Sequence, residues 1–235
     1  AGTLGKINAV RAGYLQGWIR RPMSEEQRQR RAWKFDPARA GESGCFGDIG
    51  VHAYNLCRFI TGIPPLDVSC QLKTFEPPHA LDDYGTAILR LGDGMLATIT
   101  ASRISHGREN DLAIEVDGEK GSLQWRQEEP NQLWLRCNDV PARLLTRDPS
   151  SALASPVVKN SCRLPAGHPE GFIEAFANIY TAAYADMATR IGGEALDTSQ
   201  TLYPNVADGV DGMNFIAQCV ASSRNDGAWV SMRRA

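Results

Sequence analysis

Apolar residues recur every second position in the opening and middle of the chain, and at helical spacing near residue 50 and across the last third. Lys6 to Trp18 reads as a strand. Ile7, Ala9 and Arg11 alternate with Asn8, Val10 and Ala12, and Tyr14, Gln16 and Trp18 then share one face. Ser24 to Arg31 is polar and charged, an exposed loop or a short helix. Phe46 to Ile60 carries Ile49, Leu56, Phe59 and Ile60 at helical spacing, and Gly62 with Pro64-Pro65 stops it.

The middle is rich in strand patterns. Asp67 to Phe75 alternates through Val68, Cys70 and Leu72. Tyr84 to Leu91 and Met95 to Ser102 are joined by Gly92-Asp93-Gly94, a hairpin signal. Leu112 to Val116 and Ser122 to Arg126 flank Asp117-Gly118-Glu119-Lys120-Gly121, a second hairpin, and Leu133 to Cys137 reads as one more strand. Pro141, Pro149 and Pro156 interrupt Asp139 to Arg163, which reads as a long surface loop. Glu170 to Ile191 repeats Phe172, Ile173, Phe176, Ile179, Tyr180, Ala183 and Met187 at helical spacing and ends at Gly192-Gly193. Val206 to Ser222 gives a second long helix, and Ala228 to Met232 a final strand. Hairpin connections predict an α+β fold: an open, largely antiparallel sheet with helices packed on one face, formed by residues 1–235 as one unit.

Composition narrows the function classes. The 235 residues are 43% hydrophobic and 22% charged with a net charge of −2, as in ordinary globular proteins. Scattered Lys and Arg point away from nucleic acid. The one basic run, Arg28-Gln29-Arg30-Arg31, reads as a solvated or ion-pairing segment, with a phosphate or acidic-partner site as the minority reading. No apolar run approaches the ~20 residues that span a bilayer, and no secretory signal pattern is read. Six separated cysteines without a Cys-x-x-Cys pair argue against zinc and against a disulfide scaffold, and fit thiols in a reducing cytoplasm. The chain opens at Ala1, and Gly2-Thr3-Leu4-Gly5-Lys6 reads like the end of a helix feeding a strand. It is therefore expected to be part of a longer protein.

The chemistry concentrates at Gly41-Glu42-Ser43-Gly44-Cys45-Phe46-Gly47-Asp48-Ile49-Gly50-Val51-His52. On a helix, Asp48 and His52 fall on one face, and a carboxylate beside an imidazole builds a general acid/base. The blander alternative makes Asp48 a first-turn acid and His52 an ordinary helix residue. Glycines at 41, 44, 47 and 50 weigh against it: each costs about 1 kcal/mol inside a helix, which suggests close approach of a ligand or cofactor ring. No Gly-x-Gly-x-x-Gly or Gly-Lys-Ser/Thr loop offers a site for a cofactor's phosphates.

The run Gly44-x-x-Gly47-Asp48-Ile49-Gly50-x-His52 resembles the Asp-x-x-x-His helix of the Gfo/Idh/MocA (glucose–fructose oxidoreductase / inositol dehydrogenase) family. Gly5-Lys6-Ile7, Trp33-Lys34-x-Asp36, Leu91-Gly92-Asp93-Gly94 and Gly118-Glu119-Lys120-Gly121-Ser122 extend the resemblance along the chain. Tyr14-Leu15-Gln16-Gly17-Trp18 and Gly167-His168-Pro169-Glu170-Gly171 are similar to the family's sugar and cyclitol dehydrogenases. The resemblance implies an NAD or NADP cofactor held mainly by an N-terminal Rossmann domain. That domain has no counterpart here, nor has the lysine of its Glu-Lys-Pro motif. It implies hydride transfer from a sugar or cyclitol, with His52 taking the hydroxyl proton and Asp48 orienting the imidazole and contacting a hydroxyl. The fragment alone is expected to be inactive. It also implies a homodimer or homotetramer assembled through the sheet.

Tyr14, Gln16 and Trp18 are expected to line a sugar pocket, or else to pack on a helix. Lys34 could reach a hydroxyl or stay at the surface. His168 could cap the mouth of the site or cap a helix. Asp48, His52 and His168 would suit a metal, but nothing in the spacing fixes a third ligand, and none is assigned. Ser102-Arg103-Ile104-Ser105 lacks the elbow of a nucleophilic serine. Two rivals stand beside the enzyme: a non-catalytic sugar-binding or regulatory module of the same fold, and an oligomerisation module.

Overall fold

A computed structural model describes residues 2–151, 154–194 and 203–233. The chain opens with β1 (Ile7–Leu15). A crossover follows, with α1 (Glu25–Arg31), α2 (Pro37–Ala40), a π turn (Phe46–Gly50) and α3 (Val51–Thr61). Then come β2 (Pro65–Lys73), β3 (Tyr84–Leu91), β4 (Leu96–Ser102), β5 (Asp111–Gly118), β6 (Ser122–Arg126), β7 (Gln132–Arg136) and β8 (Arg143–Thr146). The final elements are α4 (Pro156–Ser161), α5 (Phe172–Ile191), α6 (Val206–Arg224) and the short β9 (Val230–Ser231).

The nine strands form one open sheet in the order β8-β7-β6-β5-β1-β4-β3-β2-β9. Every pairing is antiparallel except β1 with β4, which run parallel with Tyr14 opposite Ala101. The parallel pair exists because the chain crosses over through α1–α3 after β1, whereas short turns join neighbours such as β3 with β4 and β5 with β6. Asp93 sits at φ 60° in the β3–β4 turn, as the Gly-Asp-Gly sequence requires.

The core lies on the helix side of the central strands. Val10, Ala97, Ile99, Ala87, Leu89 and Val68 face Phe46, Ala53, Tyr54, Cys57 and Phe215. Tyr54 stacks on Phe215 with ring centroids 4.1 Å apart, joining α3 to α6 over the sheet. The alternate residues, with Ile88, Leu96 and Leu144 among them, stay exposed on the opposite face.

Three expectations change. The first strand stops at Leu15, and Trp18 belongs to a short 3₁₀ turn ending at Arg20. Residues 139–163 are not a bare loop. They contain edge strand β8, and they contain α4, whose Pro156 starts the helix behind the Ser155 cap instead of breaking it. Among the described residues, nothing buries the apolar face of α5: the helix has no buried residue, and Phe172, Ile173 and Ile191 are more than half exposed. Among the described residues, no helix is long and apolar enough to cross a membrane. The six cysteines are free thiols, four of them buried.

Candidate active site

Strands β1 and β4 run the same way, so their C-terminal ends lie side by side, and the π turn packs against both. A hollow of about 630 Å³ opens there, lined by Tyr14, Gln16, Trp18, Lys34, Asp48 and His52, with Arg21, Arg31, Arg108, Glu109 and Asn110 around them. Six of the seven residues predicted from the sequence therefore meet in one place.

Local chemistry fixes how Asp48 is presented. The buried Asp82 carboxylate, just ahead of β3, accepts hydrogen bonds from the N–H groups of Gly44 (2.7 Å) and Phe46 (2.9 Å). It thereby satisfies donors that a helix start leaves open. Gly44 is needed for this closeness, because a Cβ there would lie 2.6 Å from the Asp82 carbonyl oxygen. A Cβ on Gly50 would lie 2.9 Å from the Phe46 ring. Gly44 and Gly50 therefore admit the protein's own backbone and core, a correction at these two positions to the expectation of a ligand pressed against them, whereas a Cβ on Gly41 or Gly47 would meet no close contact.

The spacing argument also needs correcting. Asp48 lies in a π turn, in which the Val51 N–H reaches back to the Phe46 carbonyl, so Asp48 and His52 are not simply stacked on one α-helical face. The Asp48 carboxylate turns to two cations. Its Oδ2 accepts from Lys34 Nζ at 2.7 Å and from Arg103 Nη2 at 2.6 Å. Arg103 is almost completely buried at the end of β4. Burial alone would push the Asp48 carboxyl up, but Lys34 and Arg103 outweigh it and hold it below the usual carboxylate range.

His52 is exposed to the hollow, and its ring nitrogens have no hydrogen-bond partner among the described residues. The edge of Tyr14 meets its ring at 6.1 Å between centroids. Tyr14 Oη and Gln16 Nε2 both donate to Asn110 Oδ1, at 3.2 and 2.9 Å. Trp18 is reached through Gly17, where a Cβ would fall 2.3 Å from the Ser105 carbonyl oxygen. Its ring is flanked by the guanidinium groups of Arg31 (4.7 Å) and Arg103 (5.6 Å) and by Phe35 (5.9 Å). It is thus a held wall of the hollow more than a free stacking platform. Phe35 in turn stacks on His79 at 4.0 Å.

His168 is not brought to this hollow. It lies beside Asn131, Gln132, Thr146 and Arg147 in a separate depression, and its carbonyl accepts from Arg147. The start of α5 is capped instead by the Glu174 carboxylate, which accepts from the Gly171 N–H at 2.8 Å. Asp48, His52 and His168 therefore do not assemble as a ligand trio, and no other such cluster occurs among the described residues.

Asp82, Arg103 and Asn110 escaped sequence reasoning. Only the acid pair Asp82-Asp83 ahead of a strand, and an arginine at the end of one, could have flagged the first two. Ser102 is buried and bonded to Ser105 Oγ at 2.8 Å, so this segment contributes Arg103 and no exposed nucleophile.

Comparison with known proteins places this geometry in context. Residues 1–124 match the GFO/IDH/MocA C-terminal domain. An uncharacterized oxidoreductase, YfiI, of Bacillus subtilis is 29% identical over 99% of this chain and 59% of its own length. The levoglucosan dehydrogenase of Pseudarthrobacter phenanthrenivorans is 28% identical over 56% of this chain and 38% of its own. The crystal structure of an inositol dehydrogenase homolog from Azotobacter vinelandii, complexed with NAD+, superposes with a TM-score of 0.91 at 29% identity. That match covers 98% of this chain and 59% of the homolog. The chain thus spans less than two thirds of the length of these relatives.

Proposed function

Because this chain belongs to the GFO/IDH/MocA family, we propose that it is the substrate-side domain of an NAD- or NADP-dependent dehydrogenase. The reaction oxidises a secondary hydroxyl of a sugar or cyclitol. The observation that carries this reading is the meeting of Asp48, His52 and Lys34 at one open hollow walled by Tyr14, Gln16 and Trp18.

A bound nicotinamide would supply the acceptor for the hydride that leaves the carbinol carbon. The chain contains no Gly-x-Gly-x-x-Gly loop to cradle a dinucleotide's phosphates, while the open hollow beside His52, whose ring has no hydrogen-bond partner among the described residues, would leave room for a nicotinamide and an alcohol. His52 takes the hydroxyl proton as the carbonyl forms. Asp48, kept ionised, accepts a hydrogen bond from a substrate hydroxyl and fixes the Lys34 ammonium. Arg103 positions Asp48 from behind. Tyr14 holds the imidazole face, and Asn110 orders Tyr14 and Gln16. Alone, the chain binds substrate without turning it over. The uncovered face of the sheet, with Ile88 and Leu96, is where a second copy packs.

The test is cofactor reduction over a panel of polyols, in a form in which a nucleotide-binding domain accompanies the chain. His52→Ala is expected to lower kcat by at least about 100-fold. An unchanged rate overturns the assignment. Sugar binding that persists with no cofactor reduction on any polyol favours the non-catalytic module.

A further inference from the structure

The hollow holds more positive charge than a neutral polyol needs. Arg21, Arg31, Lys34 and Arg108 line it, against Asp48 and Glu109. Lys34 is paired with Asp48, Arg108 with Asp111, and Arg21 lies 3.6 Å from Glu109. Arg31 has no carboxylate partner among the described residues. It ends α1, whose Ser24–Gln27 capping box sets the start of the helix, and it is the last member of the basic run. Its guanidinium is half-buried, 4.7 Å over the Trp18 ring, with Nη1 3.7 Å from Met23 Sδ.

Stacking fixes the plane of a guanidinium and leaves its N–H edge free, the geometry that takes two oxygens of one carboxylate or phosphate. Among the described residues, the one hydrogen-bond partner of this partly buried cation is a soft sulfur, so its remaining N–H groups stay available to an anion. Resting on the dehydrogenase reading, we infer that the substrate is a polyhydroxylated acid. Its hydroxyls meet Asp48 and His52, and its carboxylate or phosphate-ester group is held by Arg31. The net positive charge of the lining, Arg21, Arg31, Lys34 and Arg108 against Asp48 and Glu109, raises the local concentration of such an anion. The volume of the hollow, about 630 Å³, lies within the range of small-molecule sites.

Calorimetric titration of the 235-residue chain at fixed ionic strength tests this, with D-glucuronate, D-glucose 6-phosphate, D-glucose and inorganic phosphate as probes. One of the two acids is expected to bind at least ~10-fold more tightly than glucose and than inorganic phosphate, and which acid does so tells carboxylate from phosphate ester. Arg31→Gln is expected to remove most of that advantage, and Arg31→Lys part of it. Arg30→Gln, the same loss of charge on the same helix away from the hollow, is expected to leave it intact. Equal binding of glucose, equal binding of inorganic phosphate, no binding of either acid, or an advantage that survives Arg31→Gln each overturns the inference. Asp48→Asn separates the two ideas. If it weakens all the sugars while Arg31→Gln does nothing, the acid falls and the dehydrogenase site stands. If it changes nothing, the site reading falls as well.

Discussion

Helices α3 and α5 look alike in the sequence and differ in the structure. Both repeat apolar residues at helical spacing and end at glycine. α3 buries Ala53, Tyr54 and Cys57 against the sheet and α6, whereas α5 has no buried residue among those described and carries Phe172, Phe176, Tyr180 and Tyr184 as an exposed ladder of rings. Periodicity says which side of a helix is apolar, but not what covers it. Around α3, charge adds what burial alone does not. Asp82 caps the turn that carries Asp48, and Arg103 with Lys34 locks its carboxylate.

That contrast predicts a graded series. Phe215→Ala, which removes the fully buried ring stacked on Tyr54, is expected to cost about 3–5 kcal/mol, read by urea denaturation. A cost near that of a surface change would mean that the α3 side is not the core. Asp82→Ala deletes two charge-assisted hydrogen bonds at the π turn and is expected to cost about 3 kcal/mol. Amide exchange should speed up at Gly44 and Phe46 and not in α5.

Arg103→Met acts through titration. The folded Asp48 carboxyl lies below its ordinary value, so its contribution to stability is present above about pH 4 and is lost as pH falls through the folded value. With Arg103 gone, the Asp48 carboxyl carbon should titrate at higher pH by NMR. A curve identical to wild type would show that Lys34 alone sets it. The smallest effect is expected at Phe176→Ala on α5, within about 0.5 kcal/mol. A larger loss would show that α5 is packed in solution.

The sequence was most readable where local rules act alone. Gly92-Asp93-Gly94 specifies a hairpin by φ preference, and alternation along β1 placed Tyr14 and Gln16 on the site face. It was least readable where partners are distant. Strand β8, four residues long at the sheet edge, is too short to show a period, and three prolines disguised its surroundings. The π turn defeated a spacing rule that assumes 3.6 residues per turn. Arg103 meets Asp48 across 55 positions of sequence, so no local pattern announces the pair. His168 carries a suggestive local sequence, yet its segment is held by Arg147 and Asn131, away from the hollow.

The most direct test is an NMR titration of the chain with a neutral cyclitol, D-glucuronate and D-glucose 6-phosphate in turn, following the His52 imidazole and the Asp48 carboxyl carbon. The account predicts that both resonances move together and saturate, while those of His168 and α5 stay still. Shifts confined to His168, or movement of neither His52 nor Asp48 with any of the three up to its solubility limit, would contradict it.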